Sequence, residues 1–429
     1  MMTSNAEMRQ KLIDLRRTFH RHAETGWTEF WTTAKVAGIL KDLGYTVSTG
    51  QEVIKTEAVM GRPSDEMMAE YVQRALDQGA DPDWIKKMDG YTGAMGVLDT
   101  GRKGPVVAFR FDMDAVDVSE GKDGSHRPRN EGFASLNDGA MHSCGHDAHT
   151  AMGLGLAEIL MENRDKLRGV IKLLFQPAEE GVRGGKAMAE KGLLDDVEYF
   201  VGAHIGNGLP SGTIAPGIGG FLCTTKFDLV YTGKASHAGA APQEGRNALL
   251  AAASAALAMA GIAPHSDGAT RLNVGVLEAG SGRNVIPSRA VMKVETRGST
   301  AKLNSYVYGR AMEIAGGAAA MYGADFSVAK MGEAVDASSD PELVDLVAEK
   351  AVRIPGIVKV GPLMNLGGSE DVSWMMKAVQ RRGGAAVYFG LGSDIAAGHH
   401  NEYFDIDEEM LLPGTLLFSE LAFGLAGSK

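Results

Sequence analysis

Cysteine is nearly absent. Cys144 and Cys223 are the only two in 429 residues, so no disulfide framework is available to hold the fold. Long basic runs are missing as well, and the formal net charge is −11. That argues against nucleic acid or an anionic membrane as partner, because both select a positive footprint. A local basic pocket for an acidic substrate stays compatible with it. No apolar run approaches the length of a membrane span; the alanine-rich stretch 248–263 is too short and too small-residued. Residues 1–10 are polar and lack the apolar core of a signal peptide. A cytoplasmic location is therefore expected. What is plentiful is glycine, 56 residues of it, as in an α/β enzyme with tight turns and functional loops. The length suits two domains.

Leu12, Leu15 and Phe19 recur at helical spacing, and Phe30, Val36, Ile39, Leu40 and Leu43 do the same before Gly44. Residues 51–90 read as an insertion in which Ser64 caps a helix carrying Met68, Tyr71, Val72 and Ala75. It is either a substrate-gating excursion or a solvated decoration, and its polar composition favours decoration. Three short apolar runs follow, at 106–111, 170–175 and 199–203, with helix-like segments between them. The alternation predicts an α/β domain with a central, mostly parallel sheet flanked by helices. Each run ends in polar residues of metal-binding type, and ligands collect beyond the carboxyl ends of such strands.

From about residue 221 the pattern changes to strand, helix, strand, strand, helix, strand, ending near 326–329. That order predicts a compact, ferredoxin-like α+β insert. After Asp336 the α/β pattern resumes, with a helix over 341–352, a strand over 385–389 and a last helix over 407–425. The expected organisation is a discontinuous catalytic domain, 1–220 and 335–429, interrupted by a smaller domain over 221–334.

Cys144-Gly-His146 sets a thiolate and an imidazole two residues apart on a loop ahead of a helix. Both suit zinc and similar divalent ions. Alone, the pair is equally compatible with a buried free cysteine beside surface histidines; His142 and His149 read as neighbours rather than ligands. Phe111-Asp112-Met113-Asp114 closes the first apolar run, where an Asp can orient a ligating imidazole. Asp114 is the choice for that role, ahead of Asp112 and Asp117. Gln176-Pro177-Ala178-Glu179-Glu180 closes the second run, and adjacent carboxylates can divide into a metal ligand and a free base. His204 closes the third run, and His399-His400 offers a late imidazole. In the insert, His237, Arg283, Asn284 and Arg297 lie on loops or a strand end. They are either ordinary surface residues or reach into a site, where arginine fits a carboxylate.

Taken together, these motifs resemble those of the dimetal amidohydrolase and carboxypeptidase family that includes hippurate hydrolases, auxin-conjugate amidohydrolases and glutamate carboxypeptidases. The likeness covers nearly the whole chain. It is strongest to the branch acting on p-aminobenzoyl-glutamate, through His126-Arg-Pro, Met-His-x-Cys-Gly-His-Asp, Gly-Ser-Gly-Arg-Asn-Val, Gly-Ser-Glu-Asp and Ala-Gly-His-His-Asn-Glu. The 51–90 insertion also fits that branch.

The resemblance implies two divalent ions per protomer, manganese or zinc, bridged by Cys144 and completed by His146, Glu180, His204 and His400. Glu179 would be general base and then acid, with Asp114 orienting a ligand. His237 would sit on a lid and dimerisation domain and reach the active site of a partner chain. Asn284 and Arg297 would hold the substrate carboxylate, and Arg283 would tune specificity. Many relatives use an Asp bridge and an early His-x-Asp pair where this chain has Cys144 and Asp112-Met113-Asp114. The expected reaction is hydrolysis of an N-acyl glutamate amide, p-aminobenzoyl-glutamate above all, with hippurate or an indole-acetyl conjugate as the alternative substrate. The expected partner is a second copy or a homologous chain bound through the lid domain, forming a homodimer or a heterodimer. A further alternative is a chain that works only with its homologous partner. A purely structural zinc protein fits less well, because such sites close all four positions and lack a free carboxylate base.

Overall fold

The computed structural model describes residues 4–428, and the chain divides into two compact units. One runs to Gly220 and includes Ala337–Leu366 and everything from Asp371; the other comprises Phe221–Asp336 and Gly367–Glu370.

Along the chain the strands are β1 (Thr46–Thr49), β2 (Ala94–Asp99), β3 (Val106–Asp112), β4 (Val170–Gln176), β5 (Tyr199–Ile205), β6 (Thr213–Ala215) and β7 (Ile218–Gly219). The second unit holds β8 (Cys223–Thr232), β9 (Thr270–Ala279), β10 (Arg289–Gly298) and β11 (Asp325–Ala334). The first unit then resumes with β12 (Lys359–Val360), β13 (Met364–Asn365) and β14 (Ala385–Leu391).

The main sheet has the order β1-β2-β4-β3-β5-β14-β6-β12. Its centre is parallel: β3 pairs with β4 and β5, and β5 with β14. The contacts β1–β2, β2–β4 and β6–β14 are antiparallel. The central strands are largely buried, which is why they read as mostly apolar runs, broken by Arg110 in β3 and Lys172 in β4. Because β3, β4, β5 and β14 run the same way, Asp112, Gln176 and His204 arrive at one edge, with Asp112 opposite Gln176 and His204 opposite Gly390.

Helices His146–Glu162 and Leu411–Ala426 lie on the sheet and Asn5–Arg21 packs against both, with Phe109, Phe111, Phe175, Phe389 and Phe418 forming an aromatic core. The stretch Glu408–Ala426 is long and apolar enough to cross a membrane by length and composition, which corrects the expectation that no run approaches that length. Leu411, Leu417, Phe418, Leu421 and Ala422 belong to the buried core, which accounts for its apolar character.

Residues 51–90 are a correction to the expected decoration. The helix Asp65–Asp77, capped by Ser64, and the helix Pro82–Met88 place Met68, Ala75, Ile85 and Met88 in the main core. Trp27 donates to the Met60 carbonyl at 2.8 Å and Trp31 to that of Gln78 at 3.1 Å. The helix Asp65–Asp77 turns Met68 and Ala75 inward and charged residues outward, and composition averages over both faces.

An ionic knot ties the chain's two ends together inside the first unit. Arg16 is fully buried and meets Asp147 at 2.8 Å, Asp405 at 2.8 Å and Glu408 at 3.2 Å. Its charge holds the Asp147 carboxyl well below the usual range despite burial.

The second unit is an antiparallel sheet, β11-β8-β10-β9, covered by helices Ala248–Ala260 and Ala301–Tyr322. Strand and helix order is βαββαβ. Phe227, Leu229, Tyr231, Met292 and Val294 alternate inward along β8 and β10 and meet Ala251, Ala252, Ala255, Ala311 and Ala315. Those alanines let both helices lie close to the sheet.

Candidate metal and catalytic site

The site grows from the loop ahead of helix His146–Glu162. Gly145 has φ +89°, a left-handed turn that favours glycine. A Cβ there would also collide with the Ile205 side chain. The turn sets Cys144 and His146 on the sheet's carboxyl edge.

Asp114 organises what faces them. Its two carboxylate oxygens accept the Glu179 N–H at 3.0 Å and the Glu180 N–H at 2.9 Å. His146 Nδ1 lies 2.9 Å from the Asp114 carbonyl and 3.3 Å from its Oδ1. A carbonyl only accepts, so Nδ1 carries the proton and Nε2 is aimed into the site. That Nε2 is buried without a hydrogen-bond partner among the described residues. It faces Asp112 Oδ2 at 3.8 Å and Glu179 Oε2 at 3.9 Å. Burial opposes charging of this imidazole, yet Asp112 and Cys144 hold its pKa well above the ordinary value. The place therefore attracts positive charge, whether a proton or a metal ion.

Cys144 Sγ lies 3.5 Å from His204 Nε2 and 3.6 Å from His399 Nδ1. Burial, with Glu180 adding, pushes its thiol up to about 12, so the thiolate needs a cation beside it. His400 Nε2 is 3.2 Å from Glu180 Oε1. The ligating atoms of Cys144, Glu180 and His400 lie within 4.8 Å of one another, as do those of His146, Glu179 and Glu180, and of Cys144, His204 and His399. One sulfur, several imidazoles and adjacent carboxylates converging on one buried edge is a donor set that fits divalent metal ions.

Glu179 sits in a strained loop. Ala178, just before it, has φ +51°, a conformation costing about 1–3 kcal/mol for a non-glycine residue. The loop is pinned from below: the Ala178 N–H donates to Glu29 at 2.7 Å, and Thr92 donates to the other Glu29 oxygen at 2.6 Å. Three consecutive amides, 178 to 180, are thus committed to Glu29 and Asp114.

Burial, with the Asp114 charge adding, pushes the Glu29 carboxyl up to about 8. A folded-state pKa above the unfolded one means the native state binds the extra proton. Stability from this group is full below the ordinary carboxylate range and falls as pH rises toward 8. Glu29→Gln mimics the neutral acid, so its melting temperature relative to wild type should be higher at pH 8 than at pH 5. A pH-independent difference between the two proteins would sink this assignment.

The other sequence candidates divide clearly. His149 is fully engaged: Nδ1 meets Asp112 at 2.5 Å and Nε2 accepts the Ile205 N–H at 2.9 Å. Asp112 is held in turn by Arg110 at 2.6 Å, and Arg110 reaches Gln176 and Asp371. His142 is buried, and that burial depresses its pKa to about 3. Asp117 is exposed. Within the second unit, His237 pairs across a bridge with Val285, and Ala238 N–H donates to the Asn284 carbonyl at 2.9 Å. His237 and Asn284 are therefore neighbours, both exposed, beside exposed Arg283. Arg297 is half-buried and paired with Glu295 at 3.1 Å. The sequence analysis located His399 in its His-His pair but gave it no role, and it passed over Glu29, which had no local signal.

The chain matches the model of peptidase family M20/M25/M40 over residues 108–423. It is 51% identical to an indole-3-acetyl-aspartic acid hydrolase from Enterobacter agglomerans, over 95% of this chain and 94% of that one. It is also 51% identical to one subunit of the p-aminobenzoyl-glutamate hydrolase from Escherichia coli K12, over 94% and 92%. Among solved structures, an aminobenzoyl-glutamate utilization protein from Klebsiella pneumoniae superposes with a TM-score of 0.85 at 43% identity, covering 98% and 97% of the two chains. A dinuclear metal-binding M20 peptidase from Bacillus subtilis gives 0.67 at 25% identity, covering 98% and 99%.

Proposed function

This chain belongs to peptidase family M20/M25/M40, and from that premise we propose that it hydrolyses p-aminobenzoyl-glutamate to p-aminobenzoate and glutamate. The observation that carries the chemistry is the placing of Glu179, a buried carboxylate 3.9 Å from the unpartnered His146 Nε2 and adjacent to Glu180. The substrate rests on the p-aminobenzoyl-glutamate hydrolase relative.

Cys144 would bridge two divalent ions, manganese or zinc, with His146, Glu180, His204 and His400 completing their shells. Ions at those donors would polarise the scissile carbonyl and acidify water. Glu179 takes the proton from the attacking water and delivers it to the leaving amine nitrogen. Asp114 positions the base relative to a metal-ligating imidazole, since it holds both the Glu179 amide and the His146 ring. The second unit would supply His237 to the oxyanion developing in the active site of a partner chain, with Asn284 and Arg297 holding the glutamate carboxylate and Arg283 tuning specificity. It also joins the chain to a second copy or to a homologous chain. That reading is supported by the E. coli relative, whose name makes it one subunit of its hydrolase.

A second substrate has equal support from identity, an indole-acetyl-aspartate conjugate. A panel of p-aminobenzoyl-glutamate, indole-acetyl-aspartate and hippurate, assayed with the purified chain alone, separates them. The expected result is kcat/KM at least tenfold higher for p-aminobenzoyl-glutamate. A preference for the aspartate conjugate would overturn the substrate, and turnover appearing only after a homologous chain is added would establish an obligate pair. Metal analysis of the same preparation, with chelation followed by manganese or zinc, reads the ion.

A further inference from the structure

Cys144 Sγ stands between two imidazoles that differ in one respect. His204 Nδ1 lies 2.7 Å from the Ile205 carbonyl. A carbonyl cannot donate, so Nδ1 carries the hydrogen and Nε2, facing the sulfur, is a bare lone pair. His399 is the reverse. Its Nε2 accepts the Asn207 backbone N–H at 3.2 Å, and a backbone N–H cannot accept. Nε2 is therefore bare, and the ring's hydrogen sits on Nδ1, which faces Cys144 Sγ at 3.6 Å.

The surroundings are built to hold the His399 ring in that sense. Gly206 and Asn207 have φ +84° and +51°, a left-handed pair that turns the Asn207 N–H toward the ring. A Cβ on Gly206 would stand 3.0 Å from His399 Nε2, so a larger residue would press on the acceptor. Phe404 packs beside the ring at 5.0 Å. His400, the next residue, reaches instead to Glu180 at 3.2 Å.

We infer that His399 is a positioning residue that donates its Nδ1–H to the Cys144 sulfur, whereas His204 presents a ligating lone pair beside the same atom. The late His-His pair is then divided: His400 is available to a metal, and His399 serves the sulfur that would bridge. The N–H spreads the thiolate's charge and fixes the direction of its remaining lone pairs, as partners of metal ligands do. The inference rests on the metal-centre reading above, and its test separates the two.

Protein selectively labelled with 15N-histidine is compared metal-free and after addition of zinc, with His399 and His204 identified by substitution. His399 should show a bare Nε2 and a protonated Nδ1 in both states, while His204 Nε2 shifts on zinc binding. A protonated His399 Nε2, or a zinc-dependent shift of its Nδ1, overturns the inference. Zinc affinity, read by chelator competition, gives a second measure. His399→Phe should weaken it by about 10–100-fold. His399→Asn, whose amide nitrogen sits near the place of Nδ1, should stay within a few-fold of wild type. Equal losses in the two variants contradict a donor role. A wild-type chain that takes up no zinc overturns the metal centre, and the metal-free tautomer then decides the hydrogen bond by itself.

Discussion

Glu179→Ala should lose about 10²–10⁴-fold in kcat, the range that a positioned general acid–base contributes, while keeping its metal and its melting temperature. The donors proposed for the ions are Cys144, His146, Glu180, His204 and His400, none of which the substitution touches. The loop stays in place because its amides are held by Glu29 and Asp114 rather than by the Glu179 side chain. Three readouts separate the possibilities. Turnover near wild type removes Glu179 from proton transfer. Loss of one ion together with turnover makes it a ligand, a role its closeness to His146 and Glu180 would permit. Loss of turnover alone is the expected result. Glu179→Gln should behave the same way, since it keeps the shape and lacks the base.

Arg16→Met should destabilise the first unit by about 3–5 kcal/mol, the usual cost of leaving buried charges without their partner. Arg16 answers Asp147, Asp405 and Glu408 at once from a fully buried position. Arg127 also touches Asp405 and Glu408, but His20 is the group remaining beside Asp147. Arg16→Lys should recover only part of the loss, because one ammonium cannot fork toward three carboxylates. Urea titration of the three proteins measures this. A cost below about 1 kcal/mol for the methionine variant, the range of exposed pairs, would show that the knot contributes little to stability.

The sequence revealed the parts of the site that come at strand ends. An apolar run such as 170–175 can only be a buried strand or a short buried helix, and the Gln-Pro-Ala-Glu-Glu after it marks where the backbone leaves the sheet. The same holds for Asp112 and His204. The edge strand β1 and its neighbour β2 were missed: Thr46–Thr49 is half exposed, and the buried positions of β2 include Ala94 and Gly96, so neither shows a clear apolar signal. Glu29 was illegible for a different reason. It lies 149 residues from the amide it holds, and nothing local distinguishes it from a solvated glutamate at a helix start. His399 could be located but not given a task, since the hydrogen bond that sets its tautomer comes from Asn207, 192 residues away.

The knot at Arg16 also bears on the order in which the protein is made. Arg16 leaves the ribosome early, and its partner Asp405 lies 389 residues later. At about 5–20 residues per second the interval is roughly 20–80 s. Through that time the N-terminal helix lacks Asp405, Glu408 and Glu409, whereas the second unit, nearly continuous and with its own core, is complete by Glu370, before Asp405 is made. A nascent chain halted before residue 405 should therefore protect the second unit from protease and leave the first open.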